Sequence, residues 1–232
     1  MLRAEILFED PELLVLNKPS GMPSTAHRGQ TSGTAVHQAM DYQESLRTLE
    51  NGEAGLLHRL DTATIGVLAF AKTPSAYLHY RGVWKTEVRK MYRAICAPAH
   101  SPQAIKILSS LPADIRLEIA HDAKSAKRMR VLDPSLELPM KEQLRRCRAK
   151  PRSAHTRILS AKTCTLGQKD LELEILTGVM HQIRVHLAHF GIPIAGDRLY
   201  HGSESPRLWL HAWRLWIGGR WIEAPLPNDW PT

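Results

Sequence analysis

Cysteine is scarce in this chain of 232 residues: Cys96, Cys147 and Cys164 are odd in number and far apart, with no Cys-x-x-Cys pair. That pattern excludes a disulfide framework and a cysteine-based structural zinc site. Long apolar runs are also missing. The opening MLRAEILFEDPELLVLNKP has neither an extended apolar core nor a small-residue cleavage site, and no stretch reaches the roughly 20 apolar residues of a membrane span. Export and membrane insertion are therefore disfavoured, and a cytoplasmic location is expected. There is no Gly-x-Ser-x-Gly elbow, no Gly-Lys-Ser/Thr phosphate loop and no Gly-x-Gly-x-x-Gly turn, which leaves the common triad and nucleotide-cofactor routes without a signature.

Acidic residues are in the minority. Asp and Glu number 23 against 31 Lys and Arg, for a formal charge of +8. A positive field favours polyanions through phosphate contacts and counterion release, so nucleic acid is the first partner to consider. The hydrophobic share of 43% is ordinary for a globular chain. A length of 232 fits one catalytic domain over residues 1–232, with a basic connection or insertion around 98–152.

Short apolar runs at Ile6–Phe8 and Leu13–Leu16, separated by Glu9-Asp10-Pro11-Glu12, predict an opening hairpin. A polar loop from Pro19 to Gly33 follows, and Thr34 is placed to cap a helix running through Val36 and Met40 toward Leu46. Asn51-Gly52 marks a turn before a strand at Val67–Ala71. Pro74 opens a helix to about Arg81, and Met91–Cys96 reads as a strand. In the middle region, Ile115–Ile119 and Met129–Leu132 read as short strands ahead of the basic run KEQLRRCRAKPR. Strands follow at His155–Leu159 and Leu171–Leu176. HQIRVHLAHFG reads as a helix that Gly191 terminates, and Leu208–Ile217 as a last strand. The mixed order, with hairpins and no repeat of fixed period, predicts an α+β fold.

His58, Arg59 and Asp61 interrupt an otherwise apolar segment. A carboxylate in such surroundings must be paired or change its protonation state, and a guanidinium is the partner best suited to keep it ionised. Arg59 and Arg184 are both candidates for that partner, and a plain ion pair holding a turn is the alternative. His181, Arg184, His186 and His189 share the predicted helix, but the gap of five between the first two histidines, with no acid between, departs from zincin spacing. No metal is expected. Tyr92 alternates with apolar neighbours, as a core strand tyrosine does, and an aromatic near a basic site can also stack on a base.

Taken in order, ILFEDPELLVLNKPSGMPS, LLHRLDTATIGVLAFAKT, KMYRAI, SAHTRIL, LTGVMHQIRVHLAHFGIPIAGDRLY, LWLHAWRL and APLPND form a series. The chain resembles the RluA-type family of pseudouridine synthases across nearly its whole length. The resemblance implies a mixed, largely antiparallel central sheet with flanking helices and an RNA cleft along it. It implies isomerisation of uridine to pseudouridine in ribosomal or transfer RNA without any cofactor. By the same resemblance Asp61 is the nucleophile, Arg184 its ion-pair partner, and Tyr92 the aromatic that stacks on the target base. Arg59 enters the RNA stack where the uridine flips out, and His58, Lys90 and His181 are supporting RNA-binding residues. A monomer is expected. Many members carry a small RNA-binding domain ahead of the hairpin. Here it is expected to be missing, so that target choice falls to the catalytic domain and its basic stretch Lys141–Arg152.

Two places depart from the pattern. Thr64-Ile65-Gly66 stands where the family usually has Thr-Ser-Gly, and Thr177-Gly178-Val179-Met180-His181 where it has Thr-Gly-Arg-Thr-His. The apolar replacements motivate a second class, an RNA-binding or RNA-folding protein on the same scaffold with weak or lost catalysis. A metal-dependent hydrolase using the histidines is a third.

Overall fold

The computed structural model describes residues 2–26, 32–49 and 53–231. The expected Asn51-Gly52 turn and the stretch 27–31 of the expected polar loop lie outside them. In chain order the elements are β1 (Glu5–Glu9), β2 (Leu13–Lys18), α1 (Ala35–Tyr42), β3 (Ile65–Ala71), α2 (Pro74–Val83) and β4 (Arg89–Cys96). They continue with α3 (Pro102–Ser109), β5 (Ala113–Arg116), β6 (Glu118–His121), β7 (Met129–Leu132), α4 (Met140–Arg145) and β8 (His155–Thr163). The last are β9 (Lys169–Ile175), α5 (Gln182–His189), β10 (Leu210–Ile217) and β11 (Arg220–Glu223). They fall into two compact units, Met1–Tyr92 with Leu210–Trp230, and Arg93–Trp209 with Pro231–Thr232.

In the first unit the predicted hairpin is present. β1 and β2 pair antiparallel from Glu5 opposite Asn17 to Glu9 opposite Leu14, and the Asp10 carboxylate accepts the N–H groups of Glu12 and Leu13 at the bend. β2 pairs antiparallel with β3, and β3 parallel with β10. All seven residues of β3 are buried, as expected of a strand covered on both faces. Leu13, Val15, Val67, Ala69, Leu215 and Ile217 form the core, which Ala76 and Tyr80 of α2 cover. Fully burying each of the larger of these contributes about 1.5–3 kcal/mol. Thr34 caps α1 by accepting the His37 N–H, but α1 stops at Tyr42, short of Leu46. Gln43 leaves the helical region at φ −135° while its N–H still bonds the Ala39 carbonyl, and Glu44–Thr48 forms a separate 3-10 turn.

Gly66 is a point of close backbone approach in this sheet. It sits at φ +113°, and a Cβ there would lie 2.2 Å from the Ala212 carbonyl oxygen across the parallel pair. Backbone strain alone costs about 1–3 kcal/mol for a non-glycine residue in such a conformation. Gly66→Ala should therefore lower unfolding free energy by more than about 2 kcal/mol. Urea denaturation checks this, and a loss below about 0.5 kcal/mol would show that β3 and β10 can separate freely.

In the second unit β5–β8, β8–β9 and β6–β7 are all antiparallel. The expected single strand Ile115–Ile119 is in fact two: the chain breaks at Leu117, so that β5 joins β8 and β6 joins β7. Ile119, Met129, Val131, Val179, Val185 and Tyr200 form this unit's core. Gly191 ends α5 as expected, at φ +76° with its N–H on the Ala188 carbonyl. The fold is mixed α+β with mostly antiparallel pairing.

Candidate active site

Asp61 stands on a turn that the loop after β2 fixes residue by residue. Leu57 donates its N–H to the Ala69 carbonyl at 3.0 Å, and the Ala69 N–H donates to His58 Nε2 at 3.2 Å, which lays the segment beside β3. Ser24 Oγ holds Leu60 twice, accepting its N–H at 3.0 Å and donating to its carbonyl at 2.8 Å. The Thr62 carbonyl accepts the Gly21 N–H and the Lys18 ammonium, and the Ala63 carbonyl accepts Ser20 Oγ–H. The Thr64 N–H closes the turn on the Asp61 carbonyl at 3.0 Å. A carboxylate on so restrained a backbone is pre-positioned, as a reacting group must be.

Lys18 is strongly perturbed by its surroundings. It is completely buried, and its three N–H donors go to the carbonyls of Pro19, Met22 and Thr62. Burial pulls the ammonium down to about 7, against the opposing pull of the Asp61 carboxylate. Between that value and the unfolded lysine's, about 10.4, the unfolded chain holds a proton that the folded chain has released, so stability rises with pH across this window. Below pH 7 both states are protonated and Lys18 contributes no slope. Relative to Lys18→Met, the wild type should gain roughly 2 kcal/mol of unfolding free energy between pH 7.5 and 9, read by urea denaturation at each pH. Parallel pH profiles for the two proteins would show that Lys18 keeps its proton.

Tyr92, on β4, is buried, and burial together with the Asp61 charge pushes its phenol well above the ordinary value. Asp61, Lys18 and Tyr92 thus form one electrostatic group. A second group lies beside it. The His58 imidazole stacks on Trp84 with ring centroids 5.1 Å apart, and the buried Lys90 places Nζ 6.0 Å from the same ring. Burial, and next the Lys90 charge, pull His58 down to about 3. The neutral ring accepts at Nε2, which puts its proton on Nδ1. Arg59 is exposed and ion-paired with Glu53.

In the second unit Arg184 makes a two-pronged ion pair with the fully buried Asp197, Nε to Oδ2 at 2.7 Å and Nη2 to Oδ1 at 2.9 Å. Asp197 also accepts the N–H groups of Leu199 and Tyr200. His181 is not on the helix, as expected from sequence, but is the residue before it, at φ +55°, with Nδ1 3.0 Å from the Tyr200 hydroxyl. Gln182, the first helical residue, ties the preceding loop down by accepting from Thr177 Oγ1 and the Val179 N–H. His186 is buried with Thr156 Oγ1 on one ring nitrogen and the Leu117 carbonyl on the other, and burial pulls it down to about 4. His189 pairs with Asp133 at 2.7 Å. Among the described residues no group of His, Cys, Asp and Glu is arranged to hold a metal ion. No helix among them is long and apolar enough to cross a membrane.

Three residues of this chemistry were not singled out from sequence: Lys18, Asp197 and Tyr200. Lys18 left one trace, a charged residue ending the apolar run LLVLN, and the other two lie within the GDRLY stretch already quoted.

The family model for RNA pseudouridylate synthase matches residues 12–189. The ribosomal large subunit pseudouridine synthase D of Nitrosomonas europaea is 31% identical over 247 residues, covering 97% of this chain and 62% of the relative. A mitochondrial pseudouridylate synthase of Xenopus tropicalis is 32% identical over 204 residues, covering 86% of this chain and 60% of the relative. The chain thus spans about three-fifths of the length of these curated relatives. The solved structure of human RNA pseudouridylate synthase domain containing 1 superposes with a TM-score of 0.70 at 21% identity, over 97% of this chain and 84% of that one, which shows the shared fold. By its match over residues 12–189, the chain belongs to the RNA pseudouridylate synthase family.

Proposed function

We propose that the chain converts uridine in RNA to pseudouridine, with Asp61 as the nucleophile. The observation that carries this reading is the restrained turn that presents Asp61 beside Lys18 and Tyr92, two buried groups that both respond to its charge. Covalent attack requires the carboxylate in its ionised form. Attack by the carboxylate on the ribose anomeric carbon breaks the bond to N1 and releases the base with the electron pair on N1; in the alternative the carboxylate adds across the 5,6 double bond of the ring and the bond to N1 breaks in the following step. The base then turns, carbon 5 bonds to the anomeric carbon, the bond to the carboxylate breaks, carbon 5 loses its proton and N1 gains one.

Tyr92 has two parts in this scheme. Its buried ring is the stacking platform for the target base. Its phenol is held protonated partly by the Asp61 charge. Once Asp61 is consumed in a covalent bond that charge disappears, and the phenol titrates lower at the stage when carbon 5 must lose its proton. Arg59, exposed beside the turn, is the residue to enter the stack as the uridine flips out, a step costing a few kcal/mol. Lys90, His58 and His181 are supporting residues, and Arg184 is the guanidinium that the family pattern assigns to the reaction.

Relatives named for the large ribosomal subunit make ribosomal RNA the first substrate to try and transfer RNA the second. The chain is proposed to act as a monomer in the cytoplasm. The test is to incubate purified protein with uridine-labelled total RNA from a strain lacking its gene, comparing wild type with Asp61→Ala. Pseudouridine from the wild type alone supports the reading. RNA binding by both with pseudouridine from neither would place the chain in the binding class that Ile65, Val179 and Met180 suggest. Val179 favours a milder view of that departure: it is buried in the second unit's core, where an apolar residue packs better than an arginine.

A further inference from the structure

A groove of about 460 Å³ opens in the second unit, between β7, the α4 segment and α5. That is within the range of about 300–1,000 Å³ typical of small-ligand sites. Leu136, Leu138, Val185 and Ala188 supply an apolar wall. Among its charged lining residues, three arginines, Arg128, Arg130 and Arg146, face one carboxylate, Asp122. Asp122 is already engaged by Arg130 Nη2 at 2.7 Å and by the Lys124 N–H at 2.8 Å. Tyr200, also in the lining, lies under the Arg128 guanidinium at 5.9 Å.

Two donors are left over. Arg128 Nε and Arg130 Nε are buried, with no hydrogen-bond partner among the described residues. Buried charged donors are costly to leave unsatisfied, and an acceptor-rich ligand removes that cost. A phosphate supplies acceptor oxygens in the geometry that a guanidinium fork matches, while an apolar wall and a tyrosine face suit a base.

We propose that this groove holds a second nucleotide of the RNA substrate, separate from the target uridine, with its phosphate on Arg128, Arg130 and Arg146 and its base against the apolar wall. The inference rests on the family reading for the identity of the polymer. It gives the basic middle region a specific recognition site in place of a general positive charge.

The test measures affinity of the full chain for a fluorescein-labelled 12-nucleotide single-stranded RNA as a function of salt. Arg128→Gln with Arg146→Gln should weaken binding about tenfold at 0.1 M salt and reduce the salt slope by about 0.7, since the arginines share one phosphate and each single-strand phosphate contact contributes about 0.7. Arg145→Gln with Lys150→Gln removes the same charge from the same segment outside the groove and should change affinity less than about threefold. Equal losses in the two double variants would overturn the site, as would equal competition by hexaglutamate and by unlabelled RNA. Arg146 is exposed, so the single change Arg146→Glu, which disturbs no core packing, should weaken binding at least as much as the double variant. Wild-type affinity in that variant would also overturn it. In pseudouridine assays the groove variants should raise KM and leave kcat unchanged. Wild type making no pseudouridine would remove the activity reading, while the affinity comparison would still decide whether the groove binds RNA.

Discussion

Asparagine at position 61 is expected to reduce pseudouridine formation on the order of 10⁴-fold or more, the scale on which enzymes lose turnover when the covalent nucleophile is removed. The substitution keeps the shape of the side chain, and the turn around it is held by backbone groups of Leu60, Thr62, Ala63 and Thr64. RNA affinity should stay within about threefold, since a negative charge is removed from a basic protein. Two spectator changes should accompany the loss. Asp61 raises the Lys18 ammonium and the Tyr92 phenol, so both should titrate lower in Asp61→Asn than in wild type. Single-turnover assays on ribosomal RNA, with NMR titration of Tyr92, give all three readings. An Asp61→Asn protein retaining more than a few per cent of wild-type turnover would remove Asp61 from the covalent role.

What the sequence made legible was local. The Glu9–Glu12 bend, the Thr34 cap, Pro74 at the first turn of α2 and Gly191 beyond α5 each rest on one or two residues whose backbone preferences are decided within a turn of chain. The errors arose where tertiary partners decide. Nothing in Ile115–Ile119 shows that β5 must pair with β8 while β6 pairs with β7, which forces the break at Leu117. α3, α4 and β11 passed unread because they are short, and a six-residue helix such as α4 owes its stability to what it packs against. His181 read as helical because its side-chain type fitted the run, whereas its left-handed backbone makes it the residue before the helix and Gln182 binds the loop through Thr177 and Val179. The candidate site divides the same way. Asp61, Tyr92 and Arg184 are visible as polar residues at improbable places, but the role of Lys18 depends on carbonyls from residues 19, 22 and 62, the last 44 positions away. Asp197 is likewise recognisable only once Arg184 is seen against it.

That pair carries the largest stability effect expected in the second unit. Alanine at position 197 should cost about 3–5 kcal/mol, because it takes a two-pronged carboxylate partner from a buried guanidinium and strips the acceptor from the N–H groups of Leu199 and Tyr200. Other ion pairs set the scale. Arg47 and Asp41 are both largely exposed, and breaking that pair should cost less than about 1 kcal/mol. Asparagine at 197 tests where the cost comes from: it can still accept from the two backbone N–H groups but carries no charge, so its loss should fall between those of Asp41→Ala and Asp197→Ala. The change should also be felt in the groove, since Tyr200 reaches the Met129 N–H at 2.8 Å and lies under Arg128. Asp197→Ala should therefore lower both the unfolding midpoint and the affinity for the 12-nucleotide RNA. A variant that loses 3 kcal/mol or more yet binds RNA as wild type would separate the ion pair's structural role from the groove; a loss under about 1 kcal/mol would mean that water or another carboxylate reaches Arg184 when Asp197 is gone.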